Sequence, residues 1–193
     1  MGIKTFRPLT NGQRNMTGSD FSEITKTRPE RSLIVSLPKS GGRNSRGIIT
    51  TRSIGGGARK IYRMIDFKRN DRDGIVGLVA AIEYDPNRTA RIALLHYTDG
   101  IKRYILAPVD LKVGMRVIAG NKCEPDVGNC MPLANMPIGV PIHNIEMNPG
   151  QGGKLVRAAG MSARLMARDG DRAVIELPSG ELRRVNVNCR ATI

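Results

Sequence analysis

From about residue 61 onward the chain is a series of short apolar, β-branched runs cut by turn residues, and that spacing leaves it little to fold into except small β structures. The first four runs are "IVGLVAAIEYD" (75–85), "RIALLHY" (91–97), "KRYILAP" (102–108) and "MRVIAG" (115–120). Asp99-Gly100 separates the second from the third, and both residue types tolerate the positive φ that a tight hairpin requires. "DPNR" (85–88) is a further turn, with Pro86 setting its backbone. After a Pro-, Gly- and Cys-containing interruption at 121–141 come "VPIHNIEM" (140–147), "KLVRAAG" (154–160), "ARLMARD" (163–169), "RAVIEL" (172–177) and "LRRVNVNC" (182–189). Asp169-Gly170 and Ser179-Gly180 punctuate the last three. No segment keeps a helical period over three turns, so the expectation is a mainly β chain of two small barrels with little helix.

Residues 1–60 have a different texture, with repeated Gly, Ser, Asn and Arg and one compact apolar patch, "SLIVSL" (32–37), which reads as a short strand. Residues 1–63 carry 13 basic and three acidic groups, so +10 of the formal net charge of +14 lies in the first third. Ordering costs roughly 1–2 kcal/mol per residue, more than so little apolar surface offsets, and this stretch is expected to order only on binding. The division is therefore a basic arm (1–60), a first barrel (61–125) and a second (126–193). The charge directs the protein to polyanions. Arginine outnumbers lysine 22 to nine, and its planar fork suits phosphate and base stacking. Seven aromatic residues are few for a binder that stacks single-stranded bases, which favours folded RNA read by shape and phosphate geometry.

Catalytic chemistry finds little footing. "NPGQGGKL" (148–155) approaches a phosphate-binding loop, but Asn148 stands at the first glycine position and Leu155 at that of the magnesium-binding hydroxyl. His96 alternates with apolar neighbours and reads as a structural imidazole rather than a catalyst. Cys123, Cys130 and Cys189 lack the paired spacing of a zinc site and read as free thiols of a reducing compartment. No nucleophile or acid/base constellation is recognisable, so the expectation is no enzyme, no cofactor and no metal. With no apolar run near 20 residues and no signal-peptide pattern, no membrane partner is expected.

The candidate RNA contacts follow from exposure and charge. In the arm they are Arg43, Arg46, Arg52, Arg59 and Lys60, with Gly55, Gly56 and Gly57 admitting backbone where a Cβ would collide. In the first barrel they are Arg63, Lys68, Arg69, Arg88 and Arg103; in the second, Lys154 and Arg157 beside Gly150, Gly152 and Gly153.

Four stretches carry a family resemblance: "SGGRNSRGIITTRSIGGGARKIYRMIDFKRN" (40–70), "IEYDPNRTARIALLHYTDGIKRYILAP" (82–108), "GNCMPLANMPIGVPIHNIEMNPGQGGKLVRAAG" (128–160) and "LPSGELRRVNVNCRATI" (177–193). Together they resemble the bacterial and organellar form of ribosomal protein two of the large subunit, in register from about residue 40. The resemblance implies an OB-type barrel followed by an SH3-like barrel and direct binding of large-subunit rRNA. It also implies support of subunit association, a place near the peptidyl transferase centre, and RNA-contacting roles for Arg88 and Arg157. The implied location is the ribosome, in a bacterial cytoplasm, mitochondrial matrix or plastid. Neighbouring ribosomal proteins are the implied partners. Because the family continues past "CRATI" with a Gly-, Arg- and His-rich tail, either this sequence is a fragment or the tail is a separate chain, which is then a candidate partner as well.

The chain departs from the family at several basic positions. The family usually has Arg at Ile48, His at Ser53, His-Lys at Ala58-Arg59 and Gln at Lys154. A free OB-fold translation factor, or a general nucleic-acid binder, is the alternative reading; it would bind heterologous RNA as well as large-subunit rRNA.

Overall fold

The computed structural model describes residues 2–193, and its regular elements are almost all short antiparallel strands joined by turns and loops. In chain order these are β1 (Ile3–Thr5), β2 (Thr17–Ser19), β3 (Ile34–Ser36), β4 (Ile61–Arg63), β5 (Gly77–Glu83), β6 (Ile92–Tyr97), β7 (Lys102–Leu106) and β8 (Arg116–Val117). They continue as β9 (Cys130–Pro132), β10 (Pro141–Ile142), β11 (Ile145–Glu146), β12 (Gly153–Leu155), β13 (Ala163–Asp169), β14 (Arg172–Glu176), β15 (Leu182–Asn186) and β16 (Arg190–Thr192). The only helical element among the described residues is a 3-10 turn, Arg31–Leu33. The mainly β expectation holds, and the architecture is consistent with an OB fold followed by an SH3-like fold.

Two four-stranded sheets organise the chain, in the orders β7-β6-β5-β8 and β10-β13-β14-β15. Gly100, Gly170 and Gly180 sit at φ +83°, +54° and +82° in the turns that the sequence marks. Each sheet also carries a bulge in its first long strand, one extra residue between Val79 and Ala81 and another between Leu165 and Ala167. An extra residue on one strand bends it and increases the local twist, which is how a short sheet curls towards a barrel.

β6 explains why residues 92–95 form an unbroken apolar run. Ala93, Leu95 and Tyr97 pack with Val79, Ile105, Leu111 and Val117 on one face. Ile92 and Leu94 pack with Ala81, Tyr104 and Leu33 on the other. A strand covered on both faces loses the polar alternation of a half-exposed one. The second cover comes from the N-terminal stretch. Leu33 is buried, Met64 N–H donates to the Leu33 carbonyl at 2.9 Å, and β3 pairs with β4 in register Ile34↔Arg63. Upstream, Thr25 N–H donates to Ile82 O (3.0 Å), while Ile82 N–H donates to the Thr25 hydroxyl (2.9 Å). Residues 24–36 are thus built onto the first sheet, where the sequence reading had a free arm as far as residue 60. Hydrogen bonds and one buried leucine anchor what composition alone assigns to disorder.

Residues 121–141, an interruption in the strand pattern of the sequence, contribute a strand and core residues. β9 pairs with β16, and Met131, Leu133 and Met136 enter the second core beside Ile142, Ile145, Leu165, Ile175 and Val185. The two halves are joined by polar contacts, an exposed ion pair beside a buried hydrogen bond. Arg190 forms a bidentate pair with Asp73, both bonds 2.6 Å, and donates to Arg69 O at 3.1 Å. Arg69, 1% exposed, donates to Gly128 O at 2.5 Å.

The structure corrects the expectation that His96 is an enclosed structural imidazole. His96 is exposed on β6, at a position beyond the cover supplied by Leu33. His143 is the enclosed one: its Nε2 is buried without a hydrogen-bond partner, and burial, helped by the Arg69 charge, pushes its pKa down to about 4. The unfolded chain takes up this proton near pH 6.5, whereas the folded chain resists until about pH 4. Stability is therefore expected to fall as the pH drops from 6.5 towards 4, by about 3 kcal/mol at most. Urea titrations at several pH values check this against His143→Leu, which should flatten the loss over that window. Glu83, whose pKa burial raises, gains stability in the opposite direction as it protonates, and its effect cancels in the comparison.

Candidate nucleic-acid interface

The first barrel's basic residues divide by whether an acid already holds them. Arg63 is buried, with Nε 3.7 Å from Glu83 and Nη1 3.8 Å from Asp85. Glu83 is fully enclosed and accepts the Tyr104 hydroxyl at 2.9 Å; that hydroxyl in turn accepts Glu30 N–H at 2.8 Å. Arg69 is enclosed at the junction of the two halves, and Arg103 pairs with Asp71 at 3.2 Å. Arg63 and Arg69 therefore cannot reach an external phosphate, a correction to their expected role. Their partners lie some 20 to 60 residues away in sequence, so no local pattern announces them.

Arg88 and Arg157 meet. The "DPNR" turn folds around buried Asp85, whose carboxylate accepts Asn87 N–H at 3.0 Å and Arg88 Nε at 2.6 Å. This holds the Arg88 guanidinium 5.6 Å from the Phe67 ring centre and 5.9 Å from that of Tyr62. Arg157, from the other barrel, lies 4.8 Å from the same Phe67 ring. Exposed Lys68 and Lys154 stand on the segments that carry these groups. One aromatic ring thus gathers two guanidinium planes from distant parts of the chain. Cation–π contact contributes about 0.5–2 kcal/mol each, and it holds the planes without consuming all their hydrogen-bond donors. Phe67 is the residue that sequence reasoning undervalued: its signal was an aromatic directly before Lys68 and Arg69 in an otherwise aromatic-poor chain.

The glycine loop at 148–155 does something other than cradle a ligand. Gly152 N–H and Gly150 N–H donate to the Glu146 carboxylate at 2.8 and 3.2 Å, and Gly153 N–H donates to Phe67 O at 2.9 Å. Gly152 and Gly153 are buried, and a Cβ on Gly153 would sit 2.5 Å from the Asn144 carbonyl oxygen. An internal carboxylate fills the nest that a phosphate would occupy, which corrects the expected approach of RNA to the backbone of Gly152 and Gly153, while Gly150 is exposed and a Cβ there would meet nothing within 4 Å. It also removes the ground for nucleotide binding by this loop.

Gly55 and Gly56 differ from the enclosed Gly152 and Gly153, since a Cβ at either would meet nothing within 4 Å. The chain itself does not require glycine there, so the open space is available to an external partner. Gly57 takes φ +55°, and Lys39 Nζ donates to the carbonyls of Gly56 and Ala58, closing the loop. Around it Arg43, Arg46, Arg52, Arg59 and Lys60 are all exposed, with no carboxylate in pairing distance among the described residues.

All three cysteines are free, and burial pushes their thiols up. No group of His, Cys, Asp or Glu among the described residues could hold a metal ion. A family model described as Ribosomal Proteins L2, RNA binding N-terminal domain, matches residues 30–119. A second, described as Ribosomal Proteins L2, C-terminal domain, matches residues 126–193.

Proposed function

We propose, from the premise that this chain belongs to the ribosomal protein L2 family, that it binds large-subunit rRNA directly and braces it near the peptidyl transferase centre, supporting subunit association. The family assignment makes it an RNA-binding protein of the large ribosomal subunit that acts in translation through structure. The observation that carries the finer reading is the convergence of Arg88 and Arg157 on Phe67. Two guanidinium planes from separate barrels can engage phosphates of one RNA segment only while the barrels keep their mutual position, so RNA contact and tertiary structure support each other. The exposed loop at 43–60 adds charge where RNA helices must approach closely. A separate chain carrying a C-terminal tail has no support from the matches and forms no part of this reading.

Sedimentation of ribosomal subunits at moderate and high salt tests it. The expected result is co-sedimentation with the large subunit at moderate salt and progressive release as salt rises. Appearance in the free fraction throughout, with heterologous RNA bound as well as large-subunit rRNA, would instead mark a free translation factor or general nucleic-acid binder.

A further inference from the structure

We infer that the groove along the free edge of β15 is a second phosphodiester-binding site, on the barrel face bordered by Asn148, Arg172, Arg183, Arg184 and Asn186; this rests on the rRNA-binding reading above. The groove has a volume of about 340 Å³, and its other wall is the Met147–Pro149 segment.

Topology brings the cations together. β15 is the outermost strand of its sheet, so one of its edges has no strand partner. Register pairs Arg172 with Asn186 and Val174 with Arg184, placing Arg172, Arg184 and Asn186 on one face of the β14–β15 ladder. Arg183, next along the strand, belongs to the opposite face. At an outer strand both faces border the same edge, and arginines from both line a single groove.

The charge there is compensated by one exposed carboxylate alone among the described residues. In the first barrel Arg63, Arg72, Arg88, Arg91 and Arg103 each lie within 4 Å of a carboxylate. Arg183 and Arg184 have no carboxylate in that range among the described residues, and Arg172 reaches only exposed Asp171, at 3.9 Å. No acidic side chain lines the groove. Three arginines line one groove with a single exposed carboxylate within 4 Å of any of them, so their charges repel with little internal compensation. An anion with several acceptor oxygens relieves that repulsion, and a phosphodiester offers oxygens to the guanidinium forks while the asparagine amides donate beside them.

The test is filter binding of a full-length large-subunit rRNA transcript between about 50 and 300 mM salt. Arg183→Gln/Arg184→Gln should reduce the log–log salt slope by about 1.4–1.8, two phosphate contacts' worth, with an unchanged melting midpoint. Arg183→Lys/Arg184→Lys, which keeps the charge, should retain the wild-type slope. Hydrogen exchange on the wild-type protein reads the same contact without a substitution: amides of residues 182–186 should slow when the transcript is added. A wild-type slope in the Gln pair with no added protection overturns this inference alone. The same holds if that pair loses only its hold on intact subunits, which would mean a protein occupies the groove. Failure of the wild-type protein to bind the transcript overturns both this inference and the reading it rests on.

Discussion

Raising salt from about 50 to 200 mM should weaken binding to large-subunit rRNA on the order of 10⁴-fold. Twelve basic side chains are candidates from the sequence, but the structure encloses Arg63 and Arg69, and carboxylates already offset the charges of Arg88 and Arg103, so a phosphate bonded by the free donors of Arg88 adds little counter-ion release. Eight remain exposed without an acidic partner: Arg43, Arg46, Arg52, Arg59, Lys60, Lys68, Lys154 and Arg157. Each phosphate neutralised releases condensed counter-ions worth about 0.7–0.9 in the log–log slope, so eight contacts give a slope near −6 to −7. The groove along β15 steepens it by a further 1.4–1.8 or so. Five of the eight lie between residues 43 and 60, so replacing those five with Gln should remove about half of the total slope while leaving the two cores intact. A nearly flat salt dependence would show that these cations do not touch phosphate.

The second large effect is on stability. Glu146→Ala should cost about 3–5 kcal/mol, because its carboxylate, 2% exposed, accepts three backbone N–H groups. These are Gly152 at 2.8 Å, Arg190 at 3.0 Å and Gly150 at 3.2 Å. A buried donor left without a partner costs about 1–3 kcal/mol; water can replace the acceptor at exposed Gly150 but not readily at buried Gly152. The loss also spreads, since Arg190 carries the bidentate pair to Asp73 that joins the two halves. Against a typical total of about 5–15 kcal/mol, a change of this size leaves the fold marginal. The urea midpoint checks it; a shift worth less than about 1 kcal/mol would mean the loop finds other acceptors. Glu146→Gln keeps one acceptor oxygen and should lose roughly half as much.

Glu146 also shows where sequence reading stops. Glycines beside a lysine in "NPGQGGKL" look open to an external anion, and only the fold shows the anion is internal. Arg63 and Arg69 are similar: one stretch of basic residues holds side chains that point into the protein and others that point out. Lys68 is exposed and its neighbour Arg69 is enclosed. The convergence of Arg88 and Arg157 on one ring spans some 70 residues of chain, and its geometry is not encoded near either arginine.

What the sequence determined by itself is local. Short β-branched runs, together with Asp-Gly and Ser-Gly pairs that tolerate positive φ, specify strands and their turns because both depend on neighbouring residues alone. Net charge and its concentration in the first third specify a polyanionic partner, since long-range electrostatics sums over residues whatever their arrangement. Tertiary structure alone decided which cations remain available. Burying a guanidinium is tolerable only where carboxylates or carbonyls from remote segments meet it, and those meetings exist only once the strands have paired.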